Sequence, residues 1–390
     1  MLWLGVWAVA AFFVAIVNWV ATLLRGSSPP RLHRFLSRFV RFATHAFAYL
    51  NLGAEPLPGF DGRSGYPIDI DIDPPGRQGR WSVAFRIVLA VPAMLLATVL
   101  AGWGANVYGL FYPRPNLNAL SLMAAAAVLG WFVALARGRM PRGLRDLVAY
   151  ALSYGAQFWA YLLLLTDRYP SSDPRTAIGP LLVRADPVDL EVHGDLRRSR
   201  LTVFFRLLLA IPHLVWLSLW GVIALGAAIL NWAGTLIAGT SPKPFHDILA
   251  SYLRYQVHVL AFVYLIGNPF PGFTGSEGTY PIELRVAERQ PQNRRTVLVR
   301  LILALPALFL ASAFGWLLFM VAVLGWFAAL LTGRMPQGLR NAGALALRYT
   351  AQTYAYVFLV TGAYPYSGPA EPRPVPAAPE VVMPLPPVAA

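Results

Sequence analysis

Three related stretches of this chain decide its fold: Arg86-Ile-Val-Leu-Ala-Val-Pro92, Arg206-Leu-Leu-Leu-Ala-Ile-Pro212 and Arg300-Leu-Ile-Leu-Ala-Leu-Pro306. In each septet, one arginine opens an apolar run that continues well past the proline. A basic residue followed by a long apolar run is typical of a helix that begins at a membrane interface. The septets therefore predict a membrane protein that is built from repeats.

The amino-acid composition also indicates a membrane protein. Of the 390 residues, 57% are hydrophobic and 13% are charged, and the charged share is about half that of soluble domains. The net charge is +14, but the arginines cluster beside the apolar runs, which favours lipid headgroups over nucleic acid as their partners. The chain contains no cysteine, so disulfides, thiolate metal sites and cysteine nucleophiles are excluded.

Identities at constant offsets define the repeats. Asn18-Trp19 and Pro58-Gly59-Phe60 recur 213 positions later as Asn231-Trp232 and Pro271-Gly272-Phe273. A second match joins Gly138-Arg139-Met140-Pro141 to Gly333-Arg334-Met335-Pro336. The chain thus consists of two similar halves, and each half holds two related units.

We place the units at residues 1–66, 67–183, 184–281 and 282–368, followed by a Pro/Ala-rich tail at 369–390 that is expected to be disordered. The first unit lacks the septet and is therefore a truncated copy. A full unit contains a short strand, a basic collar with the septet and a first helix, a second helix, and a longer third helix with a polar face. The strands are predicted from alternating apolar residues, and each starts 18 residues before a septet arginine, at Ile68–Ile72, Val188–Val192 and Ile282–Val286.

In units three and four the continuous apolar run at the septet is nearly twice the ~20 residues that one membrane crossing needs. We therefore expect two helices and a tight turn, near Trp220-Gly221 in unit three and Gly315-Trp316 in unit four. In unit two an insertion near residues 104–121 marks the same turn. The predicted fold is an all-α integral membrane protein with tandem helical-hairpin repeats, amphipathic third helices and short extramembrane β-strands.

Two topologies compete. If the third helices lie at the interface, the chain has seven spans, with the N-terminus outside and the linkers and basic turns in the cytoplasm. If the third helices also cross, it has eleven spans. The first arrangement gathers nearly all charged residues on one side, as the positive-inside rule favours, and we prefer it. The three strands would then form one cytoplasmic sheet.

Besides the septets and the Gly138–Pro141 turn, the chain contains Leu165-Thr-Asp-Arg-Tyr-Pro170. With these motifs it resembles bacterial multi-pass membrane proteins of the domain of unknown function family numbered 4389. The family's Ile-Pro-His step survives only at Ile211–His213, and its terminal motif decays to Gly362-Ala-Tyr-Pro365 in unit four. The resemblance implies a protein of the bacterial plasma membrane and supplies no activity.

Eight arginines are candidates for contacts with lipid headgroups or with the membrane interface. They are the septet arginines Arg86, Arg206 and Arg300, the third-helix arginines Arg41, Arg254 and Arg348, and the turn arginines Arg139 and Arg334. A charge on an apolar helix is costly, so each should meet a carbonyl, a carboxylate or a lipid phosphate. Interface anchoring and an intramolecular pair remain alternatives to headgroup binding.

No set of residues indicates catalysis, a cofactor or a metal. His45 and His258 are repeat equivalents, but no acidic residue accompanies them at ligand spacing along the sequence. Repetition without catalytic groups favours a non-enzymatic membrane scaffold that binds anionic lipids and a protein partner, in the membrane or at the strands. The alternative is a transporter or channel with a path between the two similar halves.

Overall fold

The computed structural model describes residues 2–102, 120–178 and 181–372, and most of them are helical. The helices are α1 Leu2–Arg25, α2 Pro30–Leu50, α3 Arg80–Ala84, α4 Arg86–Ala101, α5 Leu122–Arg137, α6 Arg142–Leu162, α7 Pro174–Ala177, α8 Arg200–Phe204, α9 Arg206–Ala238, α10 Lys243–Val263, α11 Arg294–Leu298, α12 Arg300–Thr332 and α13 Gln337–Val357. The strands are β1 Leu182–Arg184, β2 Val188–Val192, β3 Ile282–Val286 and β4 Ala370–Pro372.

Helices α9 and α12 are unbroken over 33 residues each. The hairpin turns predicted at Trp220-Gly221 and Gly315-Trp316 are therefore wrong. A single glycine inside a helix destabilises it by only about 1 kcal/mol. Without polar turn residues beside it, this cost is too small to end a helix of apolar residues. In unit two the helix does end, at Gly102 with a left-handed backbone, and α5 starts at Leu122; most of the predicted insertion lies outside the described residues.

The loss of these hairpins removes the basis of the seven-span count, and of the eleven-span count as well. Within the described ranges, three helices are long and apolar enough to cross a membrane, at Trp3–Arg25, Arg206–Ala238 and Arg300–Thr332. Helices α4 and α5 are also apolar but have only 16 residues each.

The third helices of the four units are α2, α6, α10 and α13, each 21 residues long. Each folds back along the apolar helix that precedes it. In units two to four the main apolar core lies between the two helices, and in unit one a smaller apolar cluster does so. Each is followed by a leucine with a left-handed backbone, φ 59° to 61°, at Leu52, Leu164, Leu265 and Leu359. A positive φ is costly for leucine, so its recurrence in four units shows that one chain reversal is repeated four times.

The predicted strands at 188–192 and 282–286 are present as β2 and β3, which pair antiparallel with Val188 opposite Val286. Among the residues that the structure describes, no strand pairs with the third predicted strand, 68–72, so the single three-stranded sheet is wrong. Instead, β1 pairs in parallel with β4, which lies in the segment expected to be disordered. Residues 373–390 of that segment lie outside the described residues.

A tryptophan near the end of each apolar helix joins two units. Its indole N–H donates to a backbone carbonyl in the short helix of the paired unit: Trp19 to Val83 at 2.9 Å, Trp232 to Val297 at 3.0 Å and Trp326 to Val203 at 3.1 Å. The end of α9 thus meets the start of unit four, and the end of α12 meets the start of unit three. The two long helices therefore run in opposite directions. The equivalent Trp131 of α5 is 51% exposed and has no such bond within the described part of the chain.

Candidate functional site

The septet arginines open α4, α9 and α12, and all three are almost completely buried, with 0 to 1% of their surface exposed. Each guanidinium group lies over an aromatic ring near the end of the third helix of its own unit. The distances from the guanidinium carbon to the ring centre are 4.0 Å for Arg86 and Tyr161, 4.4 Å for Arg206 and Phe262, and 4.1 Å for Arg300 and Tyr356. Such stacking is favourable because the ring face carries partial negative charge.

In units two and four, a glutamine eight residues before the septet supplies an acceptor. Arg86 Nη2 donates to Gln78 Oε1 at 2.7 Å and to Asp167 Oδ1 at 2.9 Å. Arg300 Nη2 donates to Gln292 Oε1 at 2.6 Å. The aspartate belongs to the Asp-Arg-Tyr-Pro motif, which is degraded in unit four, so Arg300 has no counterpart of this carboxylate.

Unit three uses backbone carbonyls instead, because Arg198 replaces the glutamine. Arg206 Nη1 donates to the carbonyls of Phe262 at 2.7 Å and Gly267 at 3.1 Å. Carbonyls at the C-terminal end of a helix carry partial negative charge and suit a cation. Arg86, Arg206 and Arg300, which were predicted to contact headgroups or the membrane interface, thus have side chains that face the protein interior. They join the start of an apolar helix to the end of a third helix.

The third-helix arginines hold the extended segment that follows each helix. Arg41 Nε lies 3.2 Å from Asp69 Oδ1, and Arg254 Nε lies 3.1 Å from Glu283 Oε1. Arg348 donates to the carbonyls of Gly368 at 2.5 Å and Ala370 at 3.2 Å. These contacts are the intramolecular pairs that the sequence left as an alternative to headgroup binding.

A histidine one turn after the arginine completes the cluster in units one and three. His45 Nε2 lies 2.9 Å from Asp69, and His258 Nε2 lies 3.5 Å from Glu283. Burial, with the neighbouring Arg254 charge, lowers the pKa of His258 to about 4. Burial raises the pKa of Glu283. For Asp69 burial acts in the same direction, but hydrogen bonds from His45 and from two backbone N–H groups outweigh it, and the pKa is lowered.

Units two and four have glutamine at the histidine position. Gln157 Oε1 accepts from the backbone N–H of Ser171 at 2.9 Å, and Gln352 Oε1 accepts from that of Tyr366 at 3.0 Å. Gln352 also donates to the Val188 carbonyl of β2 at 2.8 Å. Histidine and glutamine thus have the same role at this position: each binds the extended segment that follows the third helix.

The buried His258 predicts how the stability of the protein depends on pH, and glutamine, its counterpart in the other units, provides the test. Since the pKa of His258 is lower in the folded chain than the ordinary 6.5, the unfolded chain binds the proton more tightly. Stability is therefore present above pH 6.5 and is lost as the pH falls toward 4, by up to about 3 kcal/mol from this group.

Thermal unfolding in detergent between pH 7.5 and 4.5 should show a smaller decline in Tm for His258→Gln than for the wild type. His193→Gln, at a side chain 70% exposed, is the control and should keep the wild-type decline. An unchanged decline in His258→Gln would contradict this assignment.

The turn arginines Arg139 and Arg334 lie on the surface. The backbone of Arg334 bridges that of Arg197, so the turn after α12 is attached to unit three, whereas no such bridge joins Arg139 to another described segment. Of the eight predicted residues, these two alone present exposed side chains.

A cavity of about 530 Å³ lies beside β2 and α13. Its wall is partly apolar, with Leu190 and Leu345, and it also contains Asp173, Glu191 and Arg348. The two carboxylates have internal partners: Asp173 accepts from Asn341 at 2.8 Å, and Glu191 lies 2.9 Å from Arg285. In the described ranges, no group of three or more metal-ligating side chains comes together.

Sequence reasoning missed the asparagines that lock the turns. Asn231 donates to the Phe358 carbonyl at 2.9 Å and accepts from Ser241 at 2.6 Å. Asn18 makes the equivalent bonds to Leu163, at 3.0 Å, and Ser28, at 2.6 Å. Both asparagines and both serines recur at the offset of 213, and a polar residue repeated within apolar helices was the available indication.

Comparison with protein families finds the same repeated organisation. Four segments, residues 1–60, 118–172, 200–274 and 294–367, match the family described as domain of unknown function DUF4389. No curated protein and no solved structure matches the chain. The four matched segments cover more than half of the sequence and correspond to tandem copies, so the chain belongs to the DUF4389 family.

Proposed function

We propose that this protein is a non-enzymatic membrane scaffold that binds lipid and a protein partner. One observation carries the proposal: large exposed apolar side chains are concentrated on α1, α4, α5, α9 and α12 and in the collars beside them, whereas the third helices expose few. The buried arginines are occupied in holding helices and strands together. This distribution suits a protein that sits in lipid with its apolar helices and presents a polar layer to water.

The lipid partner is expected to be anionic. The net charge of +14 supports this expectation, as do the exposed Arg139 and Arg334, because basic groups near the membrane attract anionic headgroups. The protein partner would bind at the strands or in the membrane. The proposed location is a bacterial plasma membrane, with the polar layer on the cytoplasmic side.

A transporter with a path between the halves receives less support. The halves meet where α4 contacts α12, and Leu96, Leu100, Leu310 and Phe314 there belong to one buried apolar core. His213 is a buried ionisable residue of α9, but it binds Tyr255 at 2.8 Å and stacks on Phe273. Neither feature provides a polar route.

The test is purification in mild detergent followed by native mass spectrometry. The wild type should retain anionic phospholipid or a stoichiometric partner, and Arg139→Gln/Arg334→Gln should retain less lipid. The matched control is Arg63→Gln/Arg168→Gln, because these exposed arginines already lie 2.6 Å and 3.5 Å from carboxylates. A lipid-free, partner-free protein, or substrate-specific uptake in proteoliposomes, would contradict the proposal.

A further inference from the structure

The position of the β2–β3 sheet along the long helices limits how they can sit in a membrane. Helix α9 is 33 residues long and therefore rises about 50 Å, whereas the hydrocarbon core of a bilayer is about 30 Å thick. If α9 crossed a bilayer symmetrically, only about 10 Å at each end would lie outside the hydrocarbon.

Strand β3 is held near one end of α9. Arg206 at the start of α9 binds the Phe262 carbonyl near the end of α10, and His213 binds Tyr255, so α10 runs back along α9. Arg254, next to Tyr255, holds Glu283 of β3. This strand therefore begins about 10 Å from the start of α9, at 1.5 Å per residue.

Strand β2 is held near the start of α12. Gln352 binds the Val188 carbonyl, and it lies one turn before Tyr356, which contacts Arg300. The start of α12 is in turn attached to the far end of α9, because Trp232 binds Val297. The two helix starts are thus about 40 Å apart along α9, and the paired strands lie between them.

A crossing orientation would therefore place this two-stranded sheet at the depth of the hydrocarbon core. The sheet contains Asp189, Glu191, Glu283 and Arg285, and the side chain of Arg285 is 33% exposed. Open strand edges and charged side chains are costly in hydrocarbon, since no water is present to satisfy them. Most of the sheet is buried inside the protein, but the partly exposed side chains of Glu191 and Arg285 would then face hydrocarbon, which disfavours the crossing orientation.

We propose that α9 and α12 lie along the membrane surface, with their apolar faces in one leaflet and the sheet in water. This inference rests on the proposed function as a lipid-embedded scaffold and specifies its lipid surface. Exposed apolar side chains extend along the whole of α9, at Leu208 (62%), Val222 (72%) and Ile237 (77%). An excess of positive charge on the polar layer complements an anionic leaflet.

Depth measurements test the proposal directly. Because the chain has no cysteine, Leu208→Cys, Val222→Cys and Ile237→Cys each provide a single site for a nitroxide spin label. In vesicles of phosphatidylcholine and phosphatidylglycerol, collision with oxygen and with a water-soluble nickel complex reports depth. The three labels should lie at the same depth within a few ångström. A crossing helix would separate the middle label from either end label by ~20 Å along its axis, and a label at Val222 near the bilayer centre with the end labels near opposite surfaces would overturn the proposal.

Sidedness provides a second readout. Asp195 and Lys243 are exposed and lie beyond opposite ends of α9. In sealed membrane vesicles, an impermeant maleimide should label Asp195→Cys and Lys243→Cys from the same side. Labelling from opposite sides, with the protein still in the membrane after alkaline carbonate treatment, would refute the single-leaflet arrangement alone. Release of the protein by carbonate would instead refute the proposed membrane scaffold.

Discussion

Replacing Arg300 with methionine is expected to destabilise the protein by about 2–4 kcal/mol, because two buried oxygen acceptors lose their charged donor. The side chain is 1% exposed, and its Nη2 binds Gln292 at 2.6 Å. Methionine fills similar space but leaves the Gln292 oxygen and the Thr361 carbonyl without this donor. Thermal unfolding in detergent should show a large drop in Tm.

Arg334→Met is the matched control, because Arg334 is also a predicted arginine of unit four but lies on the surface. Its loss should change stability by less than about 1 kcal/mol. If both variants unfolded at the wild-type temperature while lipid retention fell for Arg300→Met, the arginine would serve headgroups after all, and its assignment to the interior would be wrong.

The second large effect is expected at a glycine beneath the third helix of unit three. Gly275 has φ +61°, and a Cβ built there would overlap the Ser251 carbonyl oxygen and come within 2.8 Å of the Tyr255 nitrogen. Gly275→Ala should therefore cost about 2–4 kcal/mol, since backbone strain and overpacking in a rigid helix add together. The segment that contacts Arg254 would shift, because Gly275 O accepts from Arg254 Nη1 at 3.4 Å.

The variant Gly278→Ala distinguishes the stability cost of backbone strain from the cost of steric overlap. Gly278 also has a positive φ, +72°, but no atom lies within 4 Å of an added Cβ. Its replacement should cost only about 1 kcal/mol, from strain. Denaturation midpoints of the two variants in detergent provide the comparison. Equal losses would show that the backbone conformation, and not the close approach to α10, makes Gly275 necessary.

Much of the local structure was predictable from the sequence. Alternating apolar residues located β2 and β3, because the side-chain period of a strand is visible in one segment. Constant offsets identified the repeated units, and the Gly-Arg-Met-Pro turns marked the start of the third helix in units two and four. Periodic polar residues also predicted a polar face on each third helix, which would meet either water or other parts of the protein. The histidine and glutamine equivalence was visible in the alignment of the units but had no assigned role.

The length of the apolar runs alone was a poor guide to the number of helices. The apolar runs of units three and four suggested two helices by their length, yet α9 and α12 continue through Gly221 and Gly315. A hairpin needs residues that stop a helix, and a Trp-Gly pair costs the helix too little to do so. The strand-like stretch 68–72 is not a strand, because no second backbone in the described part of the chain supplies hydrogen bonds to it.

The sequence by itself determined that this protein is a repetitive, apolar and basic chain with arginines at fixed positions in each unit. Only the tertiary structure decided what those arginines do. Arg206 faces the interior because its acceptors are carbonyls some sixty residues away, at the end of α10. No local pattern encodes that distance, since a guanidinium group suits a phosphate and a helix C-terminus equally well. Its partner is chosen by the fold that brings one of them within reach.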